Sequence, residues 1–523
     1  MRKQLLKMLC MWLCVILPAV AFSQTTYYVS TGGNNANNGL TPGTAKQTIN
    51  AAISAAVTPA VILVAAGNFS ENVLINKSNI TIAGAGSGAN GKLIPATVSS
   101  VLHTVITGPV TGKGIQISGA QTNITVRDLA IVGYTEEGFH ALANCNNLTL
   151  KRLQVNNNGG LSGILIGGPV VNVIIDSVAA VNNTGRAIAI WDNFKQNITI
   201  THNYVSIGGC CGIDLNDGTS SGVNISDNTV VAGTGSSDSG IGILGLTKGA
   251  GPNIIANNTI SVAKRYGIEI KNPAGSGSEN EMSDGAIVVR NNTITRTGAQ
   301  AETRDIAGIA VFRRSFTGGN PSGYVDVPGG VVIKDNIITG FTQANGTSGS
   351  EGFGIVAEGV RILIKNNTIS NCEIGIQRQA GNPSGYVKND AGDANQATDD
   401  TYFNRGNSPF SANIIATGNT LTTNGTNARD VFAANSYMGD SNYVFNFSKK
   451  INFATISLGV EYAAAGDTLN ASNATFTEMV TINKALTLNG VSNTTSVLTY
   501  DAVPSTSVIP TLIKVTAQNV AIN

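Results

Sequence analysis

Three residues on two rows of one repeated strand, and a fourth just after it, carry groups suited to catalysis: Asp214, Glu269 and Lys271, then Arg313. The strand recurs as GILI (163–166), AIAI (187–190), GIDL (212–215), GIGI (240–243), GIEI (267–270), GIAV (308–311), GIVA (354–357) and GIQR (375–378). Its isoleucines alternate with variable residues, so one face is buried and the other exposed. Stacked in register, the outward row reads His140, Leu165, Ala189, Asp214, Gly242, Glu269, Ala310, Val356 and Gln377. The next row holds Trp191, Asn216, Leu244, Lys271, Phe312 and Glu358. Asp214 and Glu269 stand two copies apart, so at a strand spacing of about 4.8 Å their carboxylates would lie roughly 10 Å apart. That is near the upper end of the separation used by inverting glycosidases. Lys271 and Arg313 lie beside Glu269, where they would pair with it or hold a uronate. Trp191 and Phe312 would stack on sugar rings. The plainer alternative is a long surface of ordinary solvated polar and aromatic residues.

Insertions at 272–286, 313–330 and 378–411 all follow this strand on the same corner. Two share a phrase, GNPSGYV, at 319–325 and 381–387, after Arg313-Arg314 and Arg378 respectively. The expected substrate-binding set is therefore Trp191, Phe312, Tyr324, Tyr386 and Arg378. The third insertion contains NDAGDANQATDD (389–400). Asp390, Asp393, Asp399 and Asp400 are oxygen ligands of the kind Ca²⁺ favours, although EF-hand spacing is absent. A solvated acidic loop is the alternative, and no cofactor is required.

These rows need a scaffold, and the scaffold has its own signature: an apolar strand, a polar pair, then Thr-Ile or its equivalent. It appears as NISDNTV (224–230), IIANNTI (254–260), VVRNNTI (288–294), VIKDNII (332–338) and LIKNNTI (363–369), with weaker copies TVRDLAI, TLKRLQV and TITHNYV upstream. Aligned, they place Leu129, Leu153, Val178, Asn203, Asn228, Asn258, Asn292, Asn336 and Asn367 at one position. A base period of about 25 residues with occasional insertions suits one coil of a solenoid. Three short parallel strands per coil would bury an aliphatic column. Stacked Asn at one corner would bond side chain to backbone from coil to coil. The Gly opening each Gly-Ile-x-Ile strand suits a corner with positive φ.

This pattern resembles the right-handed parallel β-helix of the pectin-lyase-like superfamily, with its internal asparagine ladder. The resemblance covers residues 60–425 and begins again near 451. The opening YYVSTGGNNANNGLTPGTAKQTINAAI (27–53) is similar to the leader before many secreted bacterial β-helices. The resemblance implies an all-β fold with a short N-terminal capping helix over 48–56. It does not imply one activity, because the superfamily includes lyases, hydrolases, epimerases, adhesins and binding proteins. The Gly-His-Gly and Asn-Thr-Asp of the polygalacturonase-like family are absent, and none of His103, His140 and His202 sits between two glycines. The pectate lyase Trp-Ile-Asp-His is also absent, since Trp191 precedes Asp192-Asn193. No catalytic residue is therefore carried over. A lyase base removing the proton α to a neutralised uronate would have to be Lys271 or Arg313, on position alone.

FSENVLINK (69–77) returns as FTEMVTINK (476–484), so one structural opening is used twice. The expected organisation is a signal peptide over 1–23, a leader and cap over 24–59, a β-helix over 60–425, a linker over 426–450, and the start of a second β-helix over 451–523. Its first signature coil is incomplete at Asn523, which leads us to expect a longer protein. Arg2, Lys3 and Lys7 before the apolar run 9–22 carry the signal-peptide reading. Cys145, Cys210, Cys211 and Cys372 do not form a disulfide framework and suit buried thiols. Charged residues make up 12% and the formal net charge is +1, so no nucleic-acid or anionic-membrane field is implied. The expected function is a secreted or cell-surface protein that binds polysaccharide or serves as an adhesive or structural stalk. The alternative is a polysaccharide lyase or glycoside hydrolase acting on an acidic glycan. Either way, the expected partner is a polysaccharide or cell-surface glycan.

Overall fold

The computed structural model describes residues 24–108, 111–142, 144–233, 239–297, 305–313, 328–342, 351–379, 413–431, 437–439, 444–448, 451–453, 456–492, 496–499 and 512–523. The stretch 1–23, expected to be a signal peptide, lies outside them.

The Asn-Asn and Asp-Asn pairs of the repeat make each corner. The first member takes the left-handed conformation: φ is 58° at Asp227, 57° at Asn257, 54° at Asn291, 56° at Asp335 and 56° at Asn366. Asn and Asp tolerate this region because a short polar side chain bonds locally. The second member then points inward. Asn258 donates from its backbone N and its Nδ2 to Asn292 Oδ1, at 3.0 and 2.9 Å, and from Nδ2 to Ile225 O at 3.0 Å. The same bonds link Asn203, Asn228, Asn258, Asn292, Asn336 and Asn367, and run on to Asn419. Upstream, Leu129, Leu153 and Val178 take this position as fully buried apolar residues.

Each corner joins strands of different sheets. One sheet of fourteen strands runs from Thr25–Val29 to Tyr437–Gly439, one of twelve from Gly67–Ser70 to Thr420–Thr422, and a third of twelve from Val73–Ile75 to Thr426–Val431. Each strand pairs in parallel with its counterpart one coil on, as in Ile254↔Val288, Ile260↔Ile294 and Ile268↔Ile309. The inward residues form one continuous aliphatic core. This is a parallel β-helix of three long sheets with an internal asparagine ladder, as the repeat predicts. Thr426–Val431 and Tyr437–Gly439 still pair with the preceding coil, inside the stretch expected to be linker.

The glycines of the Gly-Ile-x-Ile strand serve another purpose than expected. Gly240, Gly267, Gly308 and Gly354 are not among the positive-φ residues. An added Cβ there would lie 2.5, 2.2, 2.3 and 2.3 Å from Cγ2 of Ile260, Ile294, Ile338 and Ile369. They are needed for close packing against the neighbouring sheet.

The repeated opening motif clamps a helix across the end of the column. Helix α1 spans Ile49–Ala55 and buries Ile49, Ala52 and Ile53. Glu71 accepts from Ile49 N and Asn50 N at 2.7 and 3.1 Å, and Lys77 Nζ donates to Ser54 O and Ala56 O at 2.7 and 2.9 Å. The motif's Glu thus satisfies the helix N-terminus and its Lys the C-terminus. The second copy repeats this: Glu478 accepts from Ile456 N and Ser457 N, and Lys484 donates to Val460 O and Ala463 O, around helix α2 at Ile456–Tyr462. Beside α2, Val480–Ile482 pairs in parallel with Ile513–Val515, and Asp467–Ala471 with Leu486–Asn489. Val444–Asn446 pairs antiparallel with Asp467–Ala471.

Two outcomes follow. Asn292→Ala orphans buried groups on both neighbouring coils and should cost about 2–4 kcal/mol in chemical denaturation. Glu71→Ala should cost about 1–2 kcal/mol and speed amide exchange at Ile49 and Asn50, while Ile456 and Ser457 exchange as before.

Candidate functional site

The outward row of the third sheet is in the predicted register. Leu74, Gln116, His140, Leu165, Ala189, Asp214, Gly242, Glu269, Ala310, Val356 and Gln377 follow one another from coil to coil. Lys271 and Phe312 are neighbours in the next row.

Exposure differs from expectation. Asp214 is 3% exposed, Glu269 4%, Lys271 5%, Phe312 2% and Arg378 8%, so none lies on an open floor. Phe312 does not offer its ring to a sugar. It packs with Tyr266, Phe353, Val356 and Ile374 in an apolar cluster on the outer face, 6.1 Å between ring centroids from Tyr266. Lys271 is not held out for a uronate, because its Nζ donates to Glu269 Oε1 at 2.8 Å. The backbone N of Arg313 donates to Glu358 at 3.3 Å. Tyr324, Tyr386, Asp390, Asp393, Asp399 and Asp400 lie outside the described residues. Among the described residues, no three His, Cys, Asp or Glu side chains are grouped to hold a metal.

Asp214 and Glu269 are nevertheless brought together. A Cβ placed on Gly242, between them, would lie 2.9 Å from Glu269 Oε1 and 3.4 Å from Asp214 Oδ1. Both carboxylates lean over the one residue of the row that has no side chain, so they approach more closely than coil stacking alone implies. Each has a separate cation. Arg186 Nε donates to Asp214 Oδ2 at 2.7 Å, and Trp191 Nε1 donates to the same oxygen at 3.1 Å. The Arg186 guanidinium also sits 4.3 Å over the Trp191 ring. Trp191 is half-buried, and with Arg186 it forms the more accessible edge of the pair.

Lys195 sets the rim beside Trp191. Its Nζ donates to Asn193 O and Asn216 O at 3.1 and 3.0 Å, to Asp192 O at 3.3 Å, and to Asp217 O. One ammonium thus ties together the turns after two successive strands.

Sequence reasoning overlooked Lys113, Glu136 and Glu137, which gather around His140. Lys113 pairs with Glu136 and lies 3.6 Å from Glu137 Oε2, which is itself 3.6 Å from His140 Nδ1. The signal was present in Glu136-Glu137-Gly138-Phe139-His140, whose strand Phe139–Ala141 lacks the Gly-Ile-x-Ile form.

No family model matches the chain, and no curated protein matches it. Similar solved structures include the catalytic domain of a GH87 α-1,3-glucanase in complex with nigerose, at 16% identity over 72% of this chain with a TM-score of 0.45. This chain spans 63% of that domain's length. The periplasmic alginate epimerase AlgG is 13% identical over 74% of this chain and 79% of its own, with a TM-score of 0.34. The A-module of a mannuronan C-5 epimerase from Azotobacter vinelandii is 14% identical over 91% and 94%, with a TM-score of 0.37. These likenesses concern the chain path and bring no residue role to this chain.

The rim has a pH signature. Burial pulls the Lys195 ammonium down to about 8, whereas an unfolded lysine holds its proton to about 10.4. Between these values the unfolded chain binds more protons, so stability rises with pH. The gain is at most about 3 kcal/mol, since four carbonyl acceptors favour the charged form. Denaturation midpoints measured from pH 7.5 to 10.5 should climb for the wild type relative to Lys195→Met. Parallel curves would refute the assignment.

Proposed function

We propose that this is an exported β-helix protein that cleaves a polysaccharide, with Asp214 and Glu269 as its acid–base pair. The observation that carries this reading is the convergence of the two carboxylates over Gly242, each beside a different cation. Glycoside cleavage needs a proton donor at the leaving oxygen and a second carboxylate as base or nucleophile, at a separation that decides the stereochemical outcome. Two carboxylates on a rigid solenoid hold such a separation without loop movement. Arg186 and Trp191 fix the orientation of Asp214, and Lys271 that of Glu269.

A glycan-binding or adhesive protein is the second reading. The near-complete burial and ion pairing of both carboxylates favour it, because buried charge pairs also occur as plain scaffold.

A release assay on pectins, alginates, glucans, xylans and mannans, read as reducing ends and unsaturated uronates, separates the two. Asp214→Asn and Glu269→Gln should each lower turnover by about 10²–10⁴-fold while the protein still binds its polymer. Unchanged turnover in both variants sinks the catalytic assignment. Binding without any turnover in the wild type establishes the second reading.

A further inference from the structure

The adjacent thiols Cys210 and Cys211 serve neither the asparagine ladder nor the carboxylate pair. They form the corner that leads into strand Cys211–Leu215, which carries Asp214. The corner is tightly held. Gly209 N donates to Gly185 O at 2.9 Å, and Ser239 N donates to Cys210 O at 3.3 Å. A Cβ on Gly208 would lie 1.9 Å from Asn183 O, and one on Gly212 2.6 Å from Gly240 O. Neighbouring coils thus pin the chain on both sides of the cysteines.

Cys145 and Cys372 show what an ordinary thiol does in this fold. Each is buried and donates to a backbone carbonyl, Cys145 Sγ to Gly119 O at 3.6 Å and Cys372 Sγ to Ser370 O at 3.4 Å. They lie three and five coils from Cys211. That is roughly 14 and 24 Å along the axis, well beyond disulfide reach. Cys210 and Cys211 differ. Cys211 is 3% exposed, in the row that leads on to Tyr266 of the outer cluster. Cys210 is half-buried, and the two side chains hydrogen-bond each other. That bond and burial push the Cys211 thiol well above its ordinary value, which leaves the more accessible Cys210 as the attacking thiol. The pair also adjoins the candidate site. Ile188 pairs with Ile213, which sets Arg186 beside Cys211 on the preceding coil. The Arg186 guanidinium is within electrostatic reach of both sulfurs, besides its bond to Asp214 and its place over Trp191.

We propose that Cys210 and Cys211 are a redox modification site beside the carboxylate pair, closing reversibly to a vicinal disulfide. The proposal takes export as its premise, since disulfides persist outside the reducing cytosol, and the oxidant is a disulfide of that compartment. Cys210, as thiolate, attacks one sulfur of the oxidant, which releases one thiol and leaves a mixed disulfide. Cys211 then loses its proton and attacks Cys210 Sγ, which releases the second thiol. Two thiols are oxidised, one disulfide is reduced, and the two protons end on the released thiols. Adjacent Cα atoms stand about 3.8 Å apart, below the roughly 4.4 Å of relaxed disulfides. The ring is therefore readily reduced, a switch rather than a staple. Closure draws the sulfurs from hydrogen-bond contact to about 2.05 Å. In a packed site this moves Cys211 against Arg186 and alters its hold on Asp214 and Trp191.

The intact protein is equilibrated with mixtures of oxidised and reduced glutathione, unfolded in an alkylating reagent and mapped by peptide mass. The peptide with both cysteines should pass between a form with two alkyl groups and a form with none. Two alkyl groups at every ratio overturn the proposal. Cys211→Ser in oxidised glutathione should keep one glutathione on Cys210, whereas the wild type should keep none, because Cys211 resolves it. No adduct on the variant, or a lasting adduct on the wild type, also overturns the proposal. Trp191 is the one tryptophan outside 1–23, so its emission reads the link to the site. Emission should differ between oxidised and reduced wild type, and differ less in Arg186→Met, where only direct quenching by sulfur remains. No difference in the wild type, or an equal difference in both proteins, overturns the link through Arg186. All three measurements use purified protein, so their failure is distinct from a failure of the export reading.

Discussion

The buried asparagine amide stack is the interaction on which the rest of the solenoid depends. A coil of about 25 residues must turn sharply between sheets, and each turn takes backbone N–H and C=O groups out of water. Asn203 shows how this is managed: its amide donates to Ile175 O and to Asn228 Oδ1, and that same oxygen receives the Asn203 backbone N–H. The next coil supplies one acceptor, Asn228 Oδ1, and the previous coil the other, Ile175 O, so the corners form one connected network. In a nearest-neighbour architecture the outermost coil has such a partner on one side only.

That end condition explains the opening motif. Without a preceding coil, the first inward residues need another cover, and a two-turn helix is too short to be stable alone. Glu71 and Lys77, on either side of the first strand of the third sheet, hold its two ends, and Glu478 and Lys484 do the same in the second unit. The cap is thus fastened by charge-assisted hydrogen bonds to unsatisfied backbone groups, the strong kind.

The third sheet uses the same scaffold for a different end. Its inward row is almost uniformly Ile, Val or Leu, but its outward row changes from Gln116 and His140 through Ala189 and Gly242 to Ala310 and Val356. At Gly242 the missing side chain lets two charged neighbours meet, whereas from Ala310 onward the outer face is sealed by an aromatic and aliphatic cluster. A rigid lattice with one vacancy fixes the spacing of two carboxylates without a mobile loop.

The sequence by itself determined the coils. The period, the inward asparagines from Asn203 to Asn367 and the repeated Glu–Lys motif are local patterns, and each coil makes the same contacts as the next. Even the polar pair was legible, although its division of labour between a left-handed first residue and an inward second one became plain only in the backbone. The outward groups were another matter. Coil stacking alone put Asp214 and Glu269 about 10 Å apart, because spacing counts Cα positions and not the direction a side chain takes when its neighbour is glycine. The burial of Lys271, Phe312 and Arg378, and the gathering of Lys113, Glu136 and Glu137 around His140, were decided by tertiary structure. Those contacts join residues of different coils that share no signature, and a side chain's surroundings across a sheet face follow from what the adjacent coils happen to carry.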